Sequence, residues 1–124
     1  MYLLDTHAII WYVSGNAELS ANARQLMDIR KCFFSYASLW EIAIKQAKGT
    51  LEFDISIPQL KTVLENECFV YLPPTEYDAE RLKKLPDIHK DPFDRLIIAQ
   101  AIENDLTIIT RDTKIPLYEV KTIW

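Results

Sequence analysis

Apolar and polar positions fall in short blocks along this chain, and most blocks end at a recognisable boundary. Met1–Leu4 is an apolar run that stops at Asp5. His7–Val13 reads as a helix closed by Ser14-Gly15-Asn16, and Leu19–Ile29 as a second one with Ser20 at its start. Cys32-Phe33-Phe34 predicts a buried strand, followed by a helix over Ser38–Lys48 that Gly49 stops. Pro58 opens a further helix through Gln59–Glu67, Phe69–Leu72 is strand-like up to Pro73-Pro74, and Thr75–Leu85 is helical up to Pro86. Asp91-Pro92 begins a strongly apolar helix to about Asn104, with Asp91 as cap and Pro92 in the first helical position. Leu106–Thr110 is the clearest strand, apolar and β-branched, and Val120–Ile123 adds an expected edge strand. Short apolar strands that alternate with helices predict an α/β fold, a central parallel sheet with helices on both faces. With no repeat, low-complexity tract or linker, residues 1–124 are expected to form one domain.

Composition narrows the class. A chain of 124 residues that is 49% hydrophobic and 26% charged can bury a core of its own without disulfide or metal staples. No apolar run approaches the roughly 20 residues that span a bilayer, and no basic stretch precedes Tyr2-Leu3-Leu4-Asp5 as a signal peptide would require. Cys32 and Cys68 stand outside any C-x-x-C pattern, which fits a reduced, cytoplasmic setting with both thiols buried. Eighteen acids against fourteen bases give a net charge of −4, the wrong sign for a protein that meets nucleic acid through a basic face. Any nucleic-acid function therefore needs a source of positive charge.

The placement of the acids supplies one. Ligands of a parallel α/β sheet bind outside the carboxyl ends of its strands, where the following helices begin. Asp5 ends the first strand, Asp112 follows the Leu106–Thr110 strand after one residue, and Glu41 and Asp94 each fall in a predicted first helical turn. Each has a plainer use. Asp5 suits an N-cap and Asp112 a turn. Glu41 lies three residues after Ser38, as in a capping box, and four before Lys45, as in a helical ion pair. Asp94 is harder to explain away. At about 100° per residue it shares an arc with Ile97, Ile98 and Ala101, while Gln100, Glu103 and Asn104 lie round the other side. A carboxylate on an apolar arc is costly unless a cation or several hydrogen bonds meet it.

Four carboxylates on one edge repel each other unless cations neutralise them. An all-oxygen set suits Mg²⁺ or Mn²⁺ rather than zinc or copper, and two such ions bring the formal charge of −4 to zero. Thr6 and Thr110 border the strand-end acids as auxiliary residues. Lys45, Lys48, Arg81, Lys83, Lys84, Lys90 and Arg95 are the available phosphate contacts. His7 is expected to pack near Asp5, and His89 to be exposed. Phosphate-binding-loop, nucleophile-elbow and zinc-protease motifs are absent from the sequence.

Leu3-Leu4-Asp5-Thr6-His7-Ala8 and Ser38-Leu39-Trp40-Glu41-Ile42 resemble the first two motifs of PIN-domain ribonucleases. Asp91-Pro92-Phe93-Asp94-Arg95-Leu96-Ile97-Ile98-Ala99-Gln100-Ala101 and Ile109-Thr110-Arg111-Asp112 resemble the other two, with a wording similar to the VapC toxins of type II toxin–antitoxin pairs. The resemblance runs from residue 1 to about residue 120. It implies a PIN-like fold and a Mg²⁺- or Mn²⁺-dependent endoribonuclease acting on RNA, commonly a homodimer, held inactive by a VapB-type antitoxin. Carried over by position, Asp5, Glu41 and Asp94 would be the core metal ligands and Asp112 the fourth acid.

Two rival readings remain open on the sequence. A Mg²⁺-dependent phosphohydrolase with Asp5 as nucleophile would want a second Asp where His7 stands. A non-catalytic module would use the acids only to recruit a basic partner.

Overall fold

The computed structural model describes residues 1–51 and 53–124. Five strands and six helices follow one another as β1 (Tyr2–Leu4), α1 (Thr6–Ser14), α2 (Ala21–Ile29), β2 (Cys32–Ser35), α3 (Tyr36–Ala47), α4 (Ile57–Asn66), β3 (Val70–Leu72), α5 (Glu76–Lys84), α6 (Pro92–Glu103), β4 (Thr107–Ile109) and β5 (Thr122–Ile123). A 3₁₀ turn, Ile115–Leu117, separates the last two strands. All four strand pairings are parallel, in the order β3-β2-β1-β4-β5. The expected α/β architecture is therefore present, including the edge strand.

Strand order decides where a site can form. From β1 the chain winds outward through β2 to β3, then returns to lay β4 on the other side of β1. The point where the winding reverses lies between β1 and β4. Connections diverge there and leave a crevice at the carboxyl ends of the two strands. Asp5 leaves β1 and Thr110 leaves β4 at that crevice.

Two apolar layers hold the sheet, and strand alternation sorts residues between them. Leu4 and Ile109 face a layer with Ala8, Ile9, Met27, Phe34, Ile42, Leu60 and Leu64. Leu3 and Ile108 face the other layer, with Ile97, Ile98, Ala101 and Ile115. The two faces are thus both covered, as two-sided apolar strands require.

Local signals set most boundaries. Ser20 accepts from the Ala23 amide and starts α2, while Gly15, at φ 66°, closes α1 in a left-handed turn. Asp91 accepts from the Phe93 and Asp94 amides ahead of Pro92. One expectation fails. The helix expected from Ser38 begins at Tyr36, capped by Ser35, so Ser38 and Glu41 form no capping box and Glu41 lies in the second turn. The Ser38 hydroxyl is buried instead and meets Thr6 Oγ1 at 2.9 Å, tying α3 to the start of α1. The cysteines also divide: Cys32 is buried, but Cys68 is exposed at a left-handed position after α4.

Candidate metal centre

Four elements bring the four predicted acids to the crevice between β1 and β4. Asp5 occupies the N-cap position of α1, yet its side chain makes no capping hydrogen bond. It is 5% exposed and accepts from the Thr110 hydroxyl at 2.7 Å through Oδ2. Thr110 Oγ1 in turn accepts from the Asp112 amide. The carboxyl ends of β1 and β4 are thereby stitched together, and Asp5 Oδ1 is left buried without a partner. Burial pushes the Asp5 carboxyl above the ordinary range, outweighing the Thr110 bond.

Glu41 repeats the pattern from α3. It is 7% exposed, and Lys45 lies 3.3 Å from its Oε2, the ion pair that the spacing predicts. Its Oε1 is buried and unpartnered. Asp5 Oδ1 and Glu41 Oε1 are the only buried side-chain polar atoms without a partner among the described residues. A buried acceptor left unpaired costs about 1–3 kcal/mol, more when charged, so two acids offering such atoms in one site are a preference for a cation.

Asp94 lies in the first turn of α6. Burial, then the charges of Asp5, Asp91, Glu41 and Asp112, push its carboxyl up to about 8. Asp5 comes first among those four charges, so the two carboxyls influence each other although they are 89 positions apart in sequence (94 − 5). Asp112 divides its work. Its Oδ1 accepts from the Lys114 and Ile115 amides, the turn role open to it from sequence, and its Oδ2 faces the site. Burial raises this carboxyl, but the Ile115 amide, the His89 ring and the Lys114 amide together hold it below the ordinary range.

His89 is the residue that sequence reasoning misplaced. It is not exposed: its Nε2 lies 3.0 Å from Asp94 Oδ2 and 3.1 Å from Asp112 Oδ2. The Asp91 amide donates to its Nδ1 at 3.2 Å, which puts the ring proton on Nε2, between the two carboxylates. The His89 Nε2–H and one oxygen each of Asp94 and Asp112 thus meet in a common space, within 4.8 Å of one another. Tyr118, buried at 4% exposure, holds the loop by accepting from the His89 amide at 2.7 Å. The available sequence signal was His89 standing two residues before the Asp91 cap, on the same tight entry to α6.

The auxiliary residues separate. The Thr110 hydroxyl touches an acid directly, whereas the Thr6 hydroxyl turns to Ser38 and only its backbone amide meets Asp5. Arg95 does not face the crevice as a free phosphate contact. Its guanidinium donates to the Pro86 carbonyl and the Tyr118 hydroxyl, so it braces the same loop as Tyr118. Arg81 and Lys83 are likewise committed, to Glu103 and Glu80. Gln100, placed by the helical wheel among the polar residues, is fully buried and accepts from Ser35 Oγ while donating to the Leu72 carbonyl.

The set as a whole fits a divalent ion. Asp5, Glu41 and Asp94 would hold it through hard oxygen donors, two of them buried and unpaired, of the kind Mg²⁺ or Mn²⁺ takes, while the side-chain atoms that lie within 4.8 Å of one another belong to His89, Asp94 and Asp112. Comparison with known proteins agrees in fold. VapBC2 of Rickettsia felis, solved bound to a DNA fragment from its promoter, contains a chain matched with a TM-score of 0.71 at 15% identity, over 98% of this chain and 96% of that one. A toxin–antitoxin complex from Klebsiella pneumoniae gives 0.70 at 21% identity, over 100% and 97%. FitAcB from Neisseria gonorrhoeae gives 0.67 at 20%, over 100% and 97%. No curated protein matches the chain. The PIN domain family matches residues 2–121, all four acids included, and the chain belongs to that family.

Proposed function

We propose that this protein is a metal-dependent endoribonuclease, the VapC-type toxin of a toxin–antitoxin pair, with residues 1–124 acting as one PIN domain. The observation that carries the reading is the pair of orphaned buried oxygens, Asp5 Oδ1 and Glu41 Oε1, beside an Asp94 carboxyl held up to about 8 by burial and then by its acidic neighbours. A purely structural acid cluster would satisfy those atoms with hydrogen bonds. The likeness of fold to a chain of VapBC2 and to a chain of a toxin–antitoxin complex supports the biological class.

Asp5, Glu41 and Asp94 would hold Mg²⁺ or Mn²⁺, with Asp112 as the fourth acid. When bound, such an ion supplies charge for a phosphodiester and lowers the pKa of a bound water. The chain's own groups do the rest. Thr110 keeps Asp5 Oδ2 occupied, so that Oδ1 points free. Lys45 neutralises one oxygen of Glu41 and leaves the other available. His89 keeps its Nε2 proton between Asp94 and Asp112, which holds both carboxylates in place and offers a donor to a phosphate oxygen or a leaving group. The acidic crevice also suits the basic or aromatic tail of a VapB-type antitoxin, and a homodimer is the assembly expected for this class. No helix of the described residues is long and apolar enough to cross a membrane.

The phosphohydrolase reading gains nothing from the geometry, because His7, where a second Asp would be needed, leans on the Trp11 ring and Lys45. The deciding experiment is cleavage of structured RNA in Mg²⁺ or Mn²⁺ by wild type, Asp5→Ala and Asp94→Asn. Metal-dependent cleavage lost in both variants supports the proposal. Equal cleavage by all three overturns it.

A further inference from the structure

The acids occupy only one side of the crevice. Against Asp5 and Asp112 opens a cavity of about 200 Å³ whose other walls are His7, Trp11, Arg111 and Trp124. These four side chains gather around the Trp11 ring. The Trp11 and Trp124 rings meet edge to face at 5.8 Å, and the His7 ring lies 5.4 Å from Trp11. The Arg111 guanidinium carbon lies 4.4 Å from the centroid of the Trp11 ring. Arg111 also pairs with Glu18, and both are exposed.

A surface brace would explain the Arg111–Glu18 pair, but not the rings. Trp11 and Trp124 pack partly against the apolar layer of Leu4 and Ile109, and the cavity leaves the rest of both rings open. That space combines indole walls with a guanidinium plane, the two surfaces on which proteins stack unpaired bases. It is also continuous with the acids, since Asp5 and Asp112 border both. A strand with one phosphodiester at the acids would bring a neighbouring base to this cavity, with Arg111 beside its phosphate.

We propose that the cavity between α1 and the segment after β4 is a nucleobase subsite, taking the base adjacent to the scissile phosphate of an unpaired RNA strand. Trp11 and Trp124 supply the stacking surface, and Arg111 supplies a second flat face and a positive charge in an otherwise acidic rim. The proposal rests on the nuclease reading for the identity of the strand. It assigns to Trp11, Arg111 and Trp124 a role in substrate positioning that the metal centre does not need.

Binding is tested on the full chain without divalent ions, so that cleavage plays no part. A Trp40→Phe background confines tryptophan emission to Trp11 and Trp124. Adenosine 5′-monophosphate is expected to quench that emission and ribose 5-phosphate to leave it unchanged. Trp124→Leu and Arg111→Ala should each weaken nucleotide binding about tenfold. Arg111 is exposed, so its variant carries the test if Trp124→Leu folds poorly. In a second arm, an oligoribonucleotide with an abasic residue beside the cut should lose about tenfold in kcat/KM with wild type and much less with Trp124→Leu or Arg111→Ala. Equal response to the nucleotide and the sugar phosphate, or variants that keep both nucleotide affinity and the abasic penalty, would overturn the subsite. Metal-dependent cleavage indifferent to the flanking base removes the subsite alone. Base-dependent quenching without any RNA cleavage removes the nuclease reading and keeps the base site.

Discussion

Folding of the metal-free protein should become less favourable as pH rises toward neutrality, the reverse of ordinary acid denaturation. The perturbation is Asp94, whose carboxyl titrates at about 8 in the fold against 3.8 when unperturbed. Between these values the folded chain binds a proton that the unfolded chain has released. Stability therefore falls with rising pH, by about 1.4 kcal/mol per pH unit. From pH 5 to pH 7 the loss is about 2–3 kcal/mol, or roughly 10 °C in Tm at about 4 °C per kcal/mol for a domain of this size. Asp5, raised by burial, acts in the same direction. Asp112 is lowered, so its contribution is complete above its unperturbed value of 3.8 and is lost only as pH falls further, outside this window. Thermal unfolding in chelator at pH 5, 6 and 7 measures the slope. Asp94→Asn cannot ionise, so it should flatten most of the slope and melt higher than wild type at pH 7. Added Mn²⁺ should reverse the wild-type trend, because the ion requires the ionised carboxylate, while Asp94→Asn should gain little. A metal-free Tm that stays level or rises from pH 5 to 7 would refute the reasoning.

Three further outcomes follow from the same geometry. His89→Ala, which removes the ring joining Asp94 to Asp112, should weaken Mn²⁺ binding by about tenfold in a calorimetric titration, with little loss of fold. Thr110→Val leaves Asp5 Oδ2 without its 2.7 Å donor and should cost about 1–3 kcal/mol in urea unfolding of the metal-free protein. Ser35→Ala removes both the cap of α3 and a partner of buried Gln100, and should cost about 2 kcal/mol by the same measurement.

What the sequence revealed is what depends on short spacing. Asp91-Pro92 marked the start of α6, Ser20 that of α2, and the apolar arc around Asp94 marked it as an acid needing a counter-charge. The strand-end positions of Asp5 and Asp112 followed from apolar runs that stop abruptly, because parallel strands put their carboxyl ends on one edge. What escaped depends on partners distant in sequence. Ser35 and Ser38 are equally good caps on paper, and the choice is made by Gln100 and Thr6, which claim their hydroxyls from α6 and α1. His89 sits in a polar loop that reads as exposed, and the Tyr118 hydroxyl, from beyond β4, holds its backbone while Asp94 and Asp112 hold its ring. Arg95 is drawn away from solvent by the same tyrosine. Cys68 was expected in the core for its apolar character, but it falls at the left-handed exit from α4, where the side chain projects outward.

The central claim is that Asp5, Glu41 and Asp94 share one cation. Anomalous scattering from a crystal soaked in Mn²⁺ tests it directly. The account predicts a peak within coordination distance of Asp5 Oδ1, Glu41 Oε1 and an Asp94 oxygen, absent from Asp94→Asn crystals. A saturated crystal with no peak among these three side chains, or with the peak elsewhere on the molecule, would contradict it.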